Sequence, residues 1–344
     1  MKINELVREN IRNMQPYSCA RSEFKGEASV YLDANENPYN SPFNRYPDPL
    51  QTELKKEISK IKKVPIENIF LGNGSDEAID LLYRAFCEPK IHNVVAIEPS
   101  YGMYRVCAEI NNVEYRPVLL DENFDMEAYK LMDASNDKTK IIWLCSPNNP
   151  TGNSLNFSEI NKLLSWFRGI VVIDEAYIDF STKKSLLNYL TLFPQLIVLQ
   201  TMSKAWGNAG IRLGMAFADP EIIGILNKIK YPYNINYLTQ QHALQALQNP
   251  EQVEKWVALI LEEKEKLIKE LQKLKLVEKI YPSDANFILV KVENANAIYR
   301  FLIQNGIVVR NRSNMPLCNN CIRITVGTPE ENKALIDTLK KFHV

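Results

Sequence analysis

Residues Thr201 to Ile211 read T-M-S-K-A-W-G-N-A-G-I, and Arg212 follows them directly. The apolar run Leu196 to Gln200 precedes this stretch and has the composition of a buried strand, so Lys204 is predicted to lie in a loop at a strand end. A lysine in such a confined pocket loses its proton readily and can attack a carbonyl carbon. From this stretch alone two interpretations stay open: Lys204 forms a Schiff base, or it extends from the loop into solvent.

Two other short apolar runs upstream also end in polar turns. Ile141 to Cys145 leads into S-P-N-N-P-T-G over residues 146–152, and Ile170 to Ile173 leads into D-E-A-Y over residues 174–177. Ligands of open α/β sheets bind beyond the carboxyl ends of the strands, where such turns meet. Four side chains from these turns are therefore predicted to converge on one crevice, namely Asn149, Asp174, Tyr177 and Lys204.

These side chains suit the cofactor pyridoxal phosphate. A buried carboxylate at Asp174 would keep a pyridine nitrogen protonated, which makes the ring an electron sink. Hydrogen bonds from Asn149 and Tyr177 would hold a ring oxygen as a phenolate. Arg212, eight residues after Lys204, would pair with the phosphate.

Three motifs occur in a fixed order along this part of the chain: N-P-T-G from Asn149, D-x-x-Y from Asp174 and S-K-x-x-G-x-x-G-x-R from Ser203. Their ordered combination resembles the fold type I pyridoxal phosphate aminotransferases. Four further segments resemble, more narrowly, the histidinol-phosphate aminotransferase family: L-D-A-N-E-N-P from Leu32, R-Y-P-D from Arg45, G-N-G-S-D-E from Gly72 and C-I-R-I-T-V-G-T from Cys321. The similarity runs from about Asn10 to the C-terminus.

The chain of 344 residues is long enough for one large domain and a smaller one. Strand-like runs alternate with helical segments, which is typical of an α/β fold with a mostly parallel sheet covered by helices on both faces. The resemblance implies fold type I, with an N-terminal arm over 1–30, a large pyridoxal phosphate-binding domain over 31–249, an interdomain helix over 250–276 and a small α+β C-terminal domain over 277–344. We also predict one helix over Asn4 to Asn13, one from Pro250 to about Leu276, and a strand over Gly306 to Arg310.

The charge balance limits the classes of partner. Lys plus Arg and Asp plus Glu both number 41, so the net charge is zero at pH 7. Nucleic-acid-binding proteins usually carry a basic excess, so no nucleic-acid partner is expected. No apolar stretch reaches the roughly 18 residues that span a bilayer, and residues 1–10 lack the apolar core of a secretory signal. A cytoplasmic location without membrane contact is predicted.

Six cysteines are too few for a disulfide framework in a chain of this length. Cys318 and Cys321 form a C-x-x-C pair, a spacing that zinc-binding and redox proteins also use. The sequence has no second such pair and no histidine pair close by, so chance spacing is favoured and no metal is predicted.

The resemblance implies roles for residues around the cofactor. Glycines before a helix let backbone amides approach a phosphate at the positive end of the helix dipole, so the amides of Gly74, Ser75 and Asp76 are predicted to bind it. A plain glycine turn stays the alternative, and the Asp76 side chain is expected to turn outward. In the family an aromatic residue that matches Tyr101 stacks on the cofactor ring, whereas Tyr104 is expected to pack its helix.

The remaining phosphate contacts are assigned by the same resemblance to Thr201, Ser203 and Arg212. Tyr46 matches a residue that reaches the cofactor phosphate of the neighbouring subunit. The resemblance therefore implies a homodimer with shared active sites.

Arginines in the C-terminal part point to an anionic substrate. Arg323 lies among apolar residues of a predicted strand, where a charge is costly unless it has a partner, and guanidinium binds anionic groups bidentately. The family uses the residue that matches Arg323 as its substrate-anion anchor, and those that match Arg310 and Tyr17 contact the substrate phosphate. Asn35 and Tyr233 are assigned to the substrate pocket by resemblance. Structural ion pairs for the arginines and simple packing for the tyrosines stay the alternatives.

The resemblance implies an aminotransferase that interconverts L-histidinol phosphate plus 2-oxoglutarate and imidazole acetol phosphate plus L-glutamate, in histidine biosynthesis, through a Lys204 Schiff base. Lys204, Asp174 and Tyr177 would be the catalytic residues. Two related activities on the same fold stay open, a threonine-phosphate decarboxylase and an aromatic amino acid aminotransferase. A cofactor-binding regulatory module would need an attached DNA-binding domain, for which the fold leaves no room.

Overall fold

The computed structural model describes residues 2–18, 24, 26 and 28–342. Its larger part contains a seven-stranded sheet in the order β1-β7-β6-β5-β4-β2-β3. The strands are β1 (Ile69–Asn73), β2 (Asn93–Glu98), β3 (Glu114–Leu119), β4 (Thr139–Cys145), β5 (Ile170–Asp174), β6 (Leu196–Thr201) and β7 (Leu213–Phe217). Strand β7 is antiparallel to β1 and β6, whereas the pairs from β6 to β3 are parallel. The predicted mostly parallel sheet is confirmed.

Both faces of this sheet are covered, because alternate residues of each strand point to opposite sides. In β2, for example, Val94 and Ala96 belong to one apolar layer, and Val95 and Ile97 belong to the other. The helices around the sheet are α3 (Thr52–Lys62), α4 (Gly74–Phe86), α5 (Met103–Ile110), α6 (Ala128–Ala134), α7 (Phe157–Trp166), α8 (Pro220–Ile229) and α9 (Tyr237–Leu247). Helices α4, α5 and α8 cover the first layer, and α3, α6 and α7 cover the second.

The N-terminal segment forms two short helices, α1 (Ile3–Leu6) and α2 (Glu9–Asn13), so the prediction of one helix over Asn4 to Asn13 was wrong. The break lies at Val7 and Arg8, whose backbones are extended. Arg8 N donates to the carbonyl of Ala85 (2.9 Å), and Arg8 Nε pairs with Glu88 (2.9 Å), so contacts to another part of the chain replace the helical hydrogen bond. Residues 1, 19–23, 25 and 27 of the predicted arm lie outside the described residues.

A smaller, fully antiparallel sheet follows in the order β10-β11-β9-β8. Its elements are β8 (Val277–Ile280), β9 (Phe287–Val292), α11 (Ala295–Gln304), β10 (Arg310–Asn311), β11 (Cys321–Thr325) and α12 (Pro329–Leu339). Helix α12 starts with a capping box, in which Thr328 and Glu331 bond each other's backbone amides, and with Pro329 at its first position. Strand β8 was not predicted.

Two predicted boundaries in this part were wrong. The long helix α10 (Pro250–Leu271) ends before Leu276, because the chain turns through Leu274 to enter β8. The predicted strand over Gly306 to Arg310 begins only at Arg310. Ile307 N instead donates to the carbonyl of Leu302 and closes the end of α11, with Gly306 at φ +77°.

The structure contains no helix, within the ranges it describes, that is long and apolar enough to cross a membrane.

Candidate active site

A cavity of about 670 Å³ lies at the carboxyl ends of β4, β5 and β6, between the large sheet and strands β10 and β11. One end is formed by the start of α4 and by residues after β5 and β6, and we call it the sheet end. The opposite side is formed by Arg310, Arg312 and Arg323, and we call it the arginine wall. The predicted convergence of the three strand ends is confirmed, since Asn149, Asp174, Tyr177 and Lys204 all line this cavity.

The sheet end begins where α4 approaches β7. A Cβ atom at Gly214 would lie 2.1 Å from Ser75 N, so only glycine lets the first turn of α4 come so close to the strand. Gly74 has φ +71°, and its N donates to the carbonyl of Arg212 (2.7 Å). The amides of the first turn of α4 are thereby brought beside the Arg212 side chain.

Two hydroxyl groups lie next to this turn. Thr201 ends β6, and its Oγ1 accepts from Ser203 N (3.1 Å) and donates to Ser203 Oγ (3.0 Å). Both residues line the cavity together with Gly74, Ser75, Asp76 and Arg212. Six of the seven residues predicted at a cofactor phosphate thus line one end of one cavity, and Tyr46 is the exception.

The Asp76 side chain does not turn outward, so that expectation was wrong. Its Oδ1 accepts from Tyr101 Oη (3.0 Å), and its Oδ2 lies 3.5 Å from Arg212 Nη2. Glu77 turns back instead and accepts from Asn73 N (2.5 Å) at the start of α4. Asp76 therefore links the tyrosine and the arginine that line the sheet end.

Asp174 is the last residue of β5 and is only 2% exposed. Its Oδ2 accepts from Tyr104 Oη (2.8 Å), and its Oδ1 accepts from Ala176 N (3.0 Å). Burial raises the pKa of Asp174 to about 6, and Asp76 adds to this, although the two hydrogen bonds and Lys204 oppose it. Asp174 is thus an ionisable group in an apolar environment, where a charge on its carboxylate acts strongly on nearby groups.

Tyr104 is a functional residue that the sequence analysis missed, because it was expected only to pack its helix. It is fully buried and stacks on Trp143 with ring centroids 5.0 Å apart, so the packing expectation holds as well. Tyr104 lies at the start of α5, three residues after Tyr101. This spacing was the available signal, because side chains three residues apart in a helical turn lie close together. The two rings are in edge contact at 5.6 Å.

Lys204 reaches the cavity from the loop after β6, with Nζ 5.4 Å from the centroid of the Tyr177 ring. The side chain is exposed to the open cavity, but partial burial lowers its pKa. The positive charges of Arg323 and Arg212 lower this pKa further, against the opposing effects of Asp174 and Asp76. Lys204 therefore gives up its proton more readily than a solvated lysine does.

The arginine wall lines the same cavity as Lys204, and Arg323 is close enough to lower the pKa of this lysine. Arg323 Nη1 donates to Asn149 Oδ1 in a short hydrogen bond, and its guanidinium lies 5.1 Å from the Phe287 ring centroid. Arg310 pairs directly with Arg323 across β10 and β11. Arg312, which the sequence analysis did not single out, completes the wall; its spacing of two residues from Arg310 was the signal, because such residues of a strand share a face.

Four predicted site residues do not line this cavity. Tyr17 is 74% exposed, and Asn35 is exposed with φ 54°. The rings of Tyr46 and Tyr233 stack on each other with centroids 4.4 Å apart, and Tyr46 remains 51% exposed. Their roles in binding stay predictions.

The cysteine pair lies behind the arginine wall. Cys318 and Cys321 are buried thiols in the turn that leads into β11, and Cys321 N donates to the carbonyl of Cys318 (2.9 Å). No cluster of three or more metal-ligating side chains occurs among the residues that the structure covers.

Comparison with known proteins agrees with the family that the sequence motifs resemble. A family model for aminotransferase class I and II matches residues 25–339. The histidinol-phosphate aminotransferase of Bacteroides thetaiotaomicron is 60% identical over 341 residues, which are 99% of each chain. The structure is also similar to that of the histidinol-phosphate aminotransferase from Clostridium acetobutylicum, with a TM-score of 0.80 and 26% identity over 87% of this chain and 90% of the other.

Enzymes named for other activities have a similar fold. The L-threonine-O-3-phosphate decarboxylase from Porphyromonas gingivalis matches with a TM-score of 0.75 and 23% identity, over 87% of this chain and 91% of that one. That likeness concerns the fold alone, whereas the family model and the relative at 60% identity span nearly the whole chain. The chain belongs to the class I and II aminotransferases and, among them, to the histidinol-phosphate aminotransferases.

Proposed function

We propose that this chain transfers an amino group between L-histidinol phosphate and 2-oxoglutarate, giving imidazole acetol phosphate and L-glutamate, as a step of histidine biosynthesis. The observation that carries the proposal is the arginine wall, which lines the same cavity as the reactive amine of Lys204. A phosphate group needs several charged donors, and adjacent arginines supply them in bidentate geometry. The name of the relative at 60% identity supports the same substrate.

Proteins of this family depend on pyridoxal phosphate, and the donors of the sheet end fit that group. Because residue 74 is a glycine, there is space beside the Arg212 side chain. A Cβ atom at this position would lie 2.7 Å from Arg212 Nη2. Backbone amides, two hydroxyl groups and a guanidinium surround this space, and together they form a typical phosphate site. When bound, pyridoxal phosphate supplies an electron-withdrawing ring that stabilises negative charge at the substrate α-carbon.

In the proposed mechanism the sheet end holds and orients the cofactor. The amides of Gly74 to Asp76, the hydroxyls of Thr201 and Ser203, and Arg212 bind its phosphate. Asp174 holds a proton on the pyridine nitrogen, and Tyr104 fixes the orientation of this carboxylate. Tyr101 would stack on the ring, and its hydrogen bond to Asp76 fixes its side chain at the cavity edge.

Lys204 performs the proton transfer. Burial and the nearby arginines lower its pKa, so the amine gives up its own proton more readily than a solvated lysine and can accept the proton from the substrate α-carbon. Tyr177, whose pKa is raised by burial, keeps its hydroxyl proton and serves as a hydrogen-bond donor beside Lys204. Asn149 holds Arg323 at the substrate anion and keeps its amide nitrogen as a donor toward the ring oxygen.

We further propose that the protein acts as a homodimer in the cytoplasm. Tyr46 and Tyr233 lie outside their own chain's cavity and belong to an exposed surface rich in apolar side chains, which include Tyr39, Phe43, Leu50, Tyr231 and Leu238. Such a surface is typical of a subunit interface. The five described cysteines are free thiols, which agrees with a reducing compartment.

Mixing two inactive variants tests the shared site. Tyr46→Ala and Lys204→Ala are each expected to lose most activity as homodimers. After denaturation and joint refolding, half of the dimers are hybrids with one intact site, so activity returns to roughly a quarter of the wild-type value. If Tyr46 acts within its own chain, the mixture stays as inactive as the two variants.

The central test uses the purified protein with pyridoxal phosphate. We expect a visible absorption band that Lys204→Ala lacks, and glutamate formation when L-histidinol phosphate and 2-oxoglutarate are added. Parallel reactions contain L-threonine phosphate, with carbon dioxide measured, or L-phenylalanine as amino donor. A band with carbon dioxide from L-threonine phosphate but no glutamate from L-histidinol phosphate would replace the proposal by a decarboxylase.

A further inference from the structure

We propose that Arg312 is a third substrate-binding arginine, which holds the phosphate group together with Arg310 and favours phosphorylated substrates over carboxylates. This inference rests on the proposed function, because it assigns a specificity-determining residue to the same site. Arg323 would then serve the part of the substrate nearer to Asn149.

The strand register places the three arginines on one face of the small sheet. Arg310 lies opposite Arg323, and Asn311 lies opposite Ile322. The pairing continues one step further, since Arg312 N donates to the carbonyl of Cys321 (2.8 Å). Side chains of a strand alternate between faces, so Arg310 and Arg312 point to the same side as Arg323. All three line the cavity that contains Lys204.

The neighbouring side chain of the same strand points elsewhere and has a partner within the protein. Asn311 Nδ2 donates to Asn296 Oδ1 (2.7 Å), away from the cavity. Met315 N donates to the carbonyl of Arg312 (2.9 Å), so a turn fixes the backbone directly after the arginine. The orientation of Arg312 is therefore set by the backbone of β10 and this turn.

The Arg312 guanidinium lacks a partner of opposite charge. No Asp or Glu of the described ranges forms an ion pair with it, and its Nε is buried without a hydrogen bond there. Burial lowers the pKa of Arg312, and the positive charge of Arg310 lowers it further. A half-buried cation beside two others is costly unless an anion compensates it. The cavity is the side from which that anion can come.

A phosphate group fits this arrangement better than a carboxylate. Arg323 already uses Nη1 for Asn149, which ties it to the large sheet. Arg312 makes no such bond from its guanidinium to any residue in the described part of the chain, so its donors remain for a ligand. A phosphate monoester carries up to two negative charges and three acceptor oxygens, whereas a carboxylate carries one charge and two oxygens. The third arginine is thus needed mainly by a phosphorylated substrate.

The test compares Arg312→Gln with wild-type holoenzyme on L-histidinol phosphate, on L-histidinol, which lacks the phosphate, and on L-glutamate. We expect kcat/KM for L-histidinol phosphate to fall on the order of 30-fold, the loss typical of one partner in a buried charged pair. L-Histidinol and L-glutamate should change less than about 3-fold, because neither carries the phosphate group that Arg312 is proposed to hold. Arg312→Lys, which keeps the charge, should recover part of the loss.

Arg300→Gln is the matched control, because this arginine is exposed on α11 and lies outside the cavity. It should leave all three substrates unchanged. Equal losses on L-histidinol phosphate and L-histidinol in Arg312→Gln would mean a purely structural role and would overturn the inference. No loss on either substrate would overturn it too.

A second measurement separates this inference from the proposed function. Inorganic phosphate should inhibit the half-reaction with L-glutamate in wild-type protein and inhibit it at least about 10-fold less strongly in Arg312→Gln. This result would support the anion site even if L-histidinol phosphate proved to be no substrate. Equal inhibition of both proteins would contradict the site, whatever the natural substrate is.

Discussion

The two ends of the cavity both carry charged side chains, but these charges are compensated differently. At the sheet end the acidic groups are held by protein donors, as with Asp174, which accepts from Tyr104 and from a backbone amide. At the arginine wall Arg310 and Arg312 have no acidic partner among the described residues. Preorganised partners suit a group that stays bound through turnover, whereas open charges suit substrates that arrive and leave.

The sheet end and the arginine wall also differ in the elements that form them. The sheet end is built from strand ends and a helix start in the centre of the large sheet, and Gly214 lets these backbones touch. The arginine wall is built from a two-residue strand and a neighbouring strand of the small sheet. A change at the sheet end should therefore alter the chemistry of every substrate, and a change at the wall should alter the choice between substrates.

The largest effect is expected from Lys204→Ala, which removes the amine that moves the α-proton. Transamination with every amino donor should fall by at least about 10³-fold in kcat. The exposed Lys184 provides a control, and Lys184→Ala should keep full activity. Stopped-flow half-reactions with L-glutamate and L-histidinol phosphate would measure both, and a loss confined to one donor would break the division between the two ends.

Asp174→Asn is expected to have the next largest effect. The substitution keeps the shape of the side chain but removes the negative charge that would hold a proton on the cofactor ring. We expect kcat to fall about 10²- to 10³-fold for both donors alike, the range seen when one preorganised electrostatic group is lost. Asp133→Asn, on an exposed aspartate, should have no effect. A selective loss on the phosphorylated donor would assign Asp174 to substrate binding instead.

The sheet end could be predicted from sequence to a greater extent than the wall, and the reason is locality. Lys204 and Asp174 follow apolar runs directly, so each is recognisable from its own segment. The bond between Tyr104 and Asp174 joins residues 70 positions apart, and only the packing of α5 on the sheet brings them together. Composition cannot reveal such a contact.

The wall was predicted in part for a similar reason. Arg323 is conspicuous because a charge interrupts an apolar strand, and the resemblance drew attention to Arg310. Arg312 stands in a polar segment, R-N-R-S-N, where charged residues are ordinary. Its place in the cavity depends on the register between β10 and β11. Strand β10 starts later than the predicted strand, because Ile307 closes the preceding helix. Register is a tertiary property, set by pairing and by turns.

Tyr104→Phe tests the sheet end alone, because it removes the hydroxyl group that donates to Asp174. The Tyr104 hydrogen bond lowers the pKa of Asp174, so its loss should raise that pKa above about 6. Less carboxylate is then ionised at mildly acidic pH, and the acid limb of the pH–rate profile should move to higher pH, with an activity loss of about 10-fold or less near neutrality.

The matched control for this variant is Tyr83→Phe. Tyr83 is equally buried and also stacks on Trp143, but its hydroxyl donates to the carbonyl of Tyr104 and not to Asp174. It should reduce stability without moving the acid limb. An identical shift in both variants would mean that loosened packing, and not the Tyr104 hydrogen bond, governs Asp174.

The last expected effect concerns the stability of protein freed of pyridoxal phosphate and leaves turnover aside. Burial raises the pKa of Asp174 from its ordinary 3.8 to about 6, so only well below pH 3.8 is the carboxyl group protonated in both the folded and unfolded states. As pH rises toward 6, the unfolded state ionises first and is favoured, and above that pH the difference stays constant. Relative to Asp174→Asn, the wild-type protein should lose about 3 kcal/mol of unfolding free energy across this window.

Urea unfolding of both proteins at several pH values between 4 and 7.5 would measure this difference. Adding pyridoxal phosphate should reduce it, because a protonated ring nitrogen beside Asp174 favours the ionised carboxylate. A difference that does not vary with pH would mean that Tyr104 and the Ala176 amide fully compensate the buried charge. The sheet end would then be satisfied without its cofactor, and only the arginine wall would depend on a ligand for its charge balance.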